Sequence, residues 1–145
     1  MRMDLPHLVA KGLSVLVVDD DIEMARLIVA LLQDMGATRI DRARDGRHAL
    51  RKIRQNTDPY DLIISDWEMP NINGLDLLRS VRESYPDLPF LMLTVRTGSE
   101  EILAAKDASV TGYISKPFQP RELQRKILSI TEDILREKED AFYVC

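Results

Sequence analysis

Between about residues 13 and 130, hydrophobic positions follow two alternating patterns. Short apolar runs stand at "SVLVV" (14–18), "DLIIS" (61–65), "PFLMLT" (89–94) and "GYIS" (112–115), with a weaker "TRIDRA" at 38–43. Four of the five are continuously apolar, as strands buried on both faces of a parallel sheet must be. Helix-period segments lie between them. Met24, Ile28, Leu31 and Met35 mark the first, and Gly36 supplies a natural C′ residue. Ala49, Leu50 and Ile53 mark a second after an Asp45-Gly46 turn, and Leu75, Leu78 and Val81 a third ended by Pro86. A fourth carries Ile102, Leu103 and Ala105 and opens on Thr97-Gly98-Ser99-Glu100, a capping-box pattern. Pro120 suits the first position of a fifth, with the stripe Leu123, Ile127, Ile130 and Ile134.

Strict alternation of five strands with five helices predicts an α/β domain: a five-stranded parallel sheet, doubly wound, of the flavodoxin-like kind. The 145 residues fit one domain at 13–132, with an N-terminal extension at 1–12 and a helical extension or tail at 133–145. Net charge of −4 argues against nucleic acid as a direct partner. The single Cys145 offers neither an internal disulfide nor a zinc site, which suits a reducing compartment. No secretory h-region or membrane-length apolar stretch occurs, so the expected location is the cytoplasm.

In an open parallel sheet, ligands bind at the carboxyl ends of the strands. Asp19 and Asp20 close the first run, Asp66 ends the third, Thr94 the fourth and Lys116 the fifth. Three carboxylates, a hydroxyl and an amine therefore gather on one edge. Carboxylates this crowded repel unless a cation or hydrogen-bond donors neutralise them. Mg²⁺ accepts such oxygen ligands and keeps several waters. A phosphoryl group in transfer needs positive charge and donors around its oxygens, which Mg²⁺, Lys116 and Thr94 could supply. Asp66, at a central strand end, is the best-placed acceptor. The third acid, Asp21, reads as an N-cap for the first helix.

The segments "VLVVDDD", "LIISDWEMPNINGLDLL", "FLMLT" and "GYISKPF" resemble the receiver domain of two-component response regulators, most closely the chemotaxis type. The resemblance implies a phosphorylation-driven switch that turns over no separate substrate. Asp66 would take the phosphoryl group from a sensor histidine kinase. Asp20, Asp66 and the backbone carbonyl of Glu68 would bind Mg²⁺, with Asp19 acting through water. Lys116, before a Pro117 that the family usually joins by a cis bond, would pair with the phosphoryl group. Thr94 would move to bond it and Tyr113 would swing inward. That repacks the face of the fourth helix, fifth strand and fifth helix, where a downstream protein docks. A monomer or weak dimer is expected.

Three departures from the family pattern bear on rate and strain. Val95 follows the threonine where a small residue is usual. Glu68 and Arg96, two positions after Asp66 and Thr94, flank the pocket at sites that tune phosphoryl lifetime. Ser109-Val110 replaces a common Gly-Ala, predicting a strained turn. Arg39, Arg42, Arg44, Arg47, Arg51, Lys52 and Arg54 crowd the second strand and helix and read as a solvated face. Trp67 reads as packing beside the acceptor, and His7 and His48 receive no role. Two alternatives stand beside the receiver switch. One is a receiver belonging to a larger regulator with an output domain. The other is a small aspartyl-phosphate phosphatase using the D-x-D of Asp19-Asp20-Asp21. It would need an acidic pair at a further strand end, where only Glu132 and Asp133 on a helix follow.

Overall fold

The computed structural model describes residues 12–144, so most of the predicted 1–12 extension lies outside the described residues. Strands β1 (Ser14–Val18), β2 (Arg39–Ala43), β3 (Leu62–Asp66), β4 (Phe90–Thr94) and β5 (Gly112–Ser115) alternate with five helices. These are α1 (Ile22–Asp34), α2 (Gly46–Gln55), α3 (Gly74–Ser84), α4 (Ser99–Asp107) and α5 (Pro120–Val144). All strand pairs are parallel in the order β2-β1-β3-β4-β5. The chain reverses its direction of travel across the sheet between β1 and β3, the kind of switch point where such folds bind ligands.

Continuous apolar strands feed two cores. Val15, Val17, Leu62, Ile64, Leu91 and Leu93 point to one face, against Ile28 and Leu32 of α1 and Leu123, Ile127 and Ile130 of α5. Their alternates Leu16, Val18, Ile63, Phe90 and Met92 pack the other face against Ile53, Leu77, Val81 and Ala105. Each fully buried Leu or Ile stabilises the fold by about 1.5–3 kcal/mol relative to exposure. β2 is the weakest run because it is an edge strand: only Ala43 is buried. Arg47, Arg51 and Arg54 lie exposed on α2, as a solvated face should.

Local chemistry sets the helix ends. Asp21 caps α1, its Oδ1 accepting from the N–H groups of Glu23 (3.0 Å) and Met24 (3.4 Å). Gly36, just past the cap, has φ +91°, the conformation for which glycine is favoured. Two expectations need correction. Asp45-Gly46 is no free turn: Asp45 is the N-cap of α2, accepting from His48 N at 2.8 Å, and Gly46 is already helical. The Thr97–Glu100 capping box does not form. α4 begins one residue later than that box requires, so its N-cap is Gly98, which has no side chain to accept. Leu103 on α4 is 58% exposed and outside the core. α5 runs unbroken through residues 132 and 133.

The expected strain after α4 is present. Ser109 has φ +65°. Its carbonyl accepts two bonds from the Arg82 guanidinium, from Nε at 3.1 Å and Nη2 at 2.9 Å. Arg82 Nη1 donates to the carbonyls of Leu88 (2.7 Å) and Tyr85 (3.1 Å). One buried-stem guanidinium thus ties the end of α3, the entry to β4 and the turn after α4. Because Ser109 contributes its carbonyl, Ser109→Gly keeps that tie while removing a left-handed cost of about 1–2 kcal/mol. Greater freedom of glycine in the unfolded chain offsets about 0.4–1 kcal/mol of this. Urea unfolding should show a net gain of about 0.5–1 kcal/mol with unchanged slope, and Ser109→Val a loss.

Candidate functional site

Strand register alone assembles the edge. Val18 aligns with Ser65, Asp66 with Leu93 and Thr94 with Ser115, so Asp19, Asp66, Thr94 and Lys116 emerge side by side. Asp19 N–H continues the β1–β2 ladder to Ala43 O at 3.1 Å, and Lys116 N–H continues β4–β5 to Thr94 O at 2.8 Å. Side-chain positions are therefore inherited from backbone pairing.

The carboxylates of Asp19, Asp20 and Asp66 offer ligand atoms within 4.8 Å of one another. Asp66 is 7% exposed, and its Oδ1 lies 3.1 Å from Lys116 Nζ and 3.4 Å from the Glu68 N–H that donates to it. Asp19 is 4% exposed. Its Oδ1 accepts from Asp21 N–H at 2.9 Å, but its buried Oδ2 has no partner. Burial, then the charges of Asp66 and Asp20, outweigh that bond and Lys116, lifting the Asp19 carboxyl to about 6. An orphaned carboxylate oxygen beside two more carboxylates is what an oxygen-seeking divalent cation would relieve, so the donor set fits Mg²⁺.

The backbone beneath the acceptor is packed tight. Gly74, first residue of α3, donates to Trp67 O at 2.8 Å. A Cβ there would collide with Asp66 O and stand 2.8 Å from both Met92 Sδ and Trp67 Cα. Only glycine lets α3 start this close to Asp66. Asn71, at φ +67°, turns the intervening loop.

On the other flank, Thr94 is fully buried and its Oγ1 accepts from Arg96 N–H at 2.8 Å. Glu68 and Arg96 form a direct ion pair across the opening. The Arg96 guanidinium also lies 3.9 Å from Glu101 of α4 and 5.7 Å from the centre of the Trp67 ring. Tyr113, half-buried, donates its hydroxyl proton to the Arg96 carbonyl and meets Trp67 edge-on at 6.5 Å. Val95 stands 63% exposed on this rim. The peptide bond from Lys116 to Pro117 is cis. The residues predicted for the site thus gather at the carboxyl edge, with Tyr113, inside β5, reaching it through its hydroxyl. Sequence reasoning missed Glu101, whose approach to Arg96 follows from the placement of α4 and leaves no spacing signal.

Among the described residues, the further strand-end acidic pair that the phosphatase alternative requires is not present. After β5 the described chain is α5 alone, on which Glu132 and Asp133 are exposed. No described helix is long and apolar enough to cross a membrane.

Comparison with known proteins agrees with this geometry. Residues 15–128 match the family model for the response regulator receiver domain. Chemotaxis protein CheY of Pseudomonas aeruginosa is 40% identical over 124 residues, covering 84% of this chain and 98% of that protein. Chemotaxis protein CheY-3 of Vibrio cholerae is 38% identical over 124 residues, covering 84% and 94%. Among solved structures, the chemotaxis response regulator CheY4 of Vibrio cholerae superposes with TM-score 0.75 at 36% identity, over 81% of this chain and 98% of that one. A CheY-like receiver domain protein from Methanospirillum hungatei gives TM-score 0.79 at 26% identity, over 87% and 99%. Receiver domains bind Mg²⁺ through an acidic pocket of this kind, and CheY-type receivers engage kinases and downstream partners. Fold, acidic edge and sequence together place this chain in the family of response regulator receiver domains, phosphorylation-activated switches of two-component signalling.

Proposed function

We propose that this receiver is a cytoplasmic switch, monomeric or weakly dimeric, whose acceptor is Asp66. The observation that carries the reading is a buried strand-end carboxylate with an ammonium at 3.1 Å and two further carboxylates beside it. A carboxylate oxygen of Asp66 bonds the phosphorus as the P–N bond to a sensor kinase's phosphohistidine breaks, its electron pair staying on the imidazole. Asp20, Asp66 and the Glu68 carbonyl would hold Mg²⁺, with Asp19 acting through water. When bound, the cation neutralises charge on the transferring oxygens. Lys116 neutralises further charge, and Thr94 turns its hydroxyl toward the phosphoryl group. That movement withdraws the acceptor of the Arg96 N–H, which loosens the segment Tyr113 is bonded to. Tyr113 then moves inward, and the face of α4, β5 and α5 is repacked for a downstream protein. Self-dephosphorylation by water resets the switch.

Incubation with Mg²⁺ and acetyl phosphate should label the wild type, and Asp66→Asn should abolish labelling. Acid-stable label on a serine or threonine in that variant would overturn the assignment.

The raised Asp19 carboxyl makes a pH prediction. Its folded pKa of about 6 exceeds the ordinary 3.8, so the folded state holds the proton more tightly. Its stabilising contribution is complete below pH 3.8 and is lost as pH rises through about 6. Metal-free Asp19→Asn should flatten that decline and exceed wild type at pH 7 by about 1–2 kcal/mol, screening included. Mg²⁺ at a hundredfold excess over Kd should add about 2.7 kcal/mol to wild type. The same thermal melts should show a smaller gain for the variant.

Val95 and the Glu68–Arg96 pair form a lip over the approach to Asp66. The branched Val95 side chain has a nearly fixed χ1 and yields poorly. If it adds about 1.4 kcal/mol to both transition states, Val95→Ala accelerates labelling and loss of label about tenfold each. Combined Glu68→Arg and Arg96→Glu tests the ion pair separately. Rates within twofold of wild type for Val95→Ala would mean that the lip is open.

A further inference from the structure

Helix α2 carries charge of one sign. Residues 39–54 hold seven of the chain's 20 lysines and arginines but two of its 24 carboxylates, Asp41 and Asp45. The remaining 13 cations face 22 carboxylates, so positive charge is concentrated on an otherwise acidic molecule. Arg47, Arg51 and Arg54 recur at i, i+4 and i+7, which lays them in one row about 11 Å long. Arg44 is held beside the amino end of that row, its N–H donating to His48 Nδ1 at 3.2 Å.

Neither nearby carboxylate answers these cations. Asp41 is occupied by the Tyr60 hydroxyl at 2.6 Å and by Arg39 at 3.3 Å. Asp45 caps α2 and accepts from Asn71 Nδ2 at 3.4 Å. Among the described residues, Arg42, Arg44, Arg47, Arg51, Lys52 and Arg54 form no ion pair, whereas Arg39, Arg79, Arg96 and Arg136 each have one. All six except the half-buried Lys52 are exposed.

Exposure alone fits a solvated face, but a solvated face has no need of a single sign. Arg47 stands in the first turn of α2, where no acid is present and the helix dipole disfavours a cation. Arg47 and Arg51, at i and i+4, repel one another, as do Arg51 and Arg54. His48 lies in the same field: burial, then the charges of Lys52, Arg44 and Arg51, hold its imidazole below the ordinary value. A counter-charge from outside the domain would relieve all three.

The chemistry of that counter-charge can be narrowed. Five of the six unpaired cations are arginines, whose forked guanidinium meets a carboxylate through two parallel hydrogen bonds. Ala49, Leu50 and Ile53 pack into the core, so α2 shows no apolar face with which to enter a lipid surface. No aromatic residue falls within 39–54 to stack on nucleic acid bases. We propose that the α2 row docks an acidic helix of a partner protein, with carboxylates one turn apart meeting Arg47, Arg51 and Arg54 in register. α2 packs on β1 and β2, and β2 is the sheet edge opposite β5. A partner there leaves the face of α4, β5 and α5 open.

The probe is an alanine-based helical peptide with glutamates at i, i+4, i+7 and i+11. Its comparisons are the glutamine counterpart and a scrambled peptide with the same glutamates spread around the helix. Titrated into the ¹⁵N-labelled full chain at low salt, the probe should move the amides of Arg44, Arg47, Arg51 and Arg54 saturably. The glutamine peptide should not bind, and the scrambled one should bind at least threefold more weakly. Raising salt from about 50 to about 200 mM should weaken the probe at least fivefold. Combined Arg47→Gln, Arg51→Gln and Arg54→Gln should abolish binding with Tm no lower than wild type and acetyl-phosphate labelling of Asp66 intact. Absence of saturable shifts, equal affinity for the scrambled peptide, or binding retained by the triple variant would overturn the proposal. So would tighter binding of duplex DNA or phosphatidylglycerol vesicles at equal charge, which would assign the row to a phosphate surface. Movement of the same amides on dilution without probe would also overturn it, assigning the row to a second copy of the chain.

Discussion

Everything at the functional edge follows from an imbalance of charge. Three carboxylates converge within a few ångströms, and one ammonium answers them. Lys116 satisfies Asp66, but Asp19 keeps a buried oxygen with nothing to bond. The fold tolerates this because backbone pairing, rather than the side chains themselves, holds the strand ends in place. Large apolar cores on both sheet faces supply the stability that the edge subtracts. The imbalance is also what makes the edge useful. A site already neutral would have little affinity for a divalent ion and little reason to respond to an incoming phosphoryl group.

Much of this was legible in the chain because it depends on local patterns. Runs such as "LIISD" and "FLMLT" are apolar throughout, and only strands covered on both sides read that way. Once the strands are placed, a polar residue closing each run must lie on the carboxyl edge, so Asp19, Asp66, Thr94 and Lys116 came together without knowledge of any contact. Asp21 as a cap and Gly36 as a terminator are decided within one helical turn. Helix starts were less secure. The capping box places the entry to α4 at Thr97, whereas the helix starts at Ser99 behind Gly98, which offers no capping side chain.

What the sequence concealed is lateral. Arg96 reaches Glu68, Glu101, Trp67 and, through its carbonyl, Tyr113. These residues come from three separate segments, and no period in the chain links them. The same holds for Arg82, which bonds carbonyls of three segments and looks like an ordinary helical arginine in the sequence. Long cationic side chains bridge wherever the tertiary structure brings acceptors, so their roles emerge only after the elements are assembled. Strain at Ser109 was visible in advance only through the resemblance, since the family often has glycine there, and the φ of +65° agrees with it.

The close seating of Gly74 on the Asp66 carbonyl divides the domain into a stiff half and a compliant half. With α3 wedged under the acceptor, a displacement arising at Asp66 meets packed backbone on the α3 side. The β4 side is softer: Thr94 and Arg96 are joined by a single hydrogen bond and α4 contributes only Ala105 to the buried core. On the proposed reading, the direction of signalling becomes a matter of mechanical impedance. With the readout on that softer side, the exposed surface of α4 is free to diverge toward new partners without disturbing the acceptor.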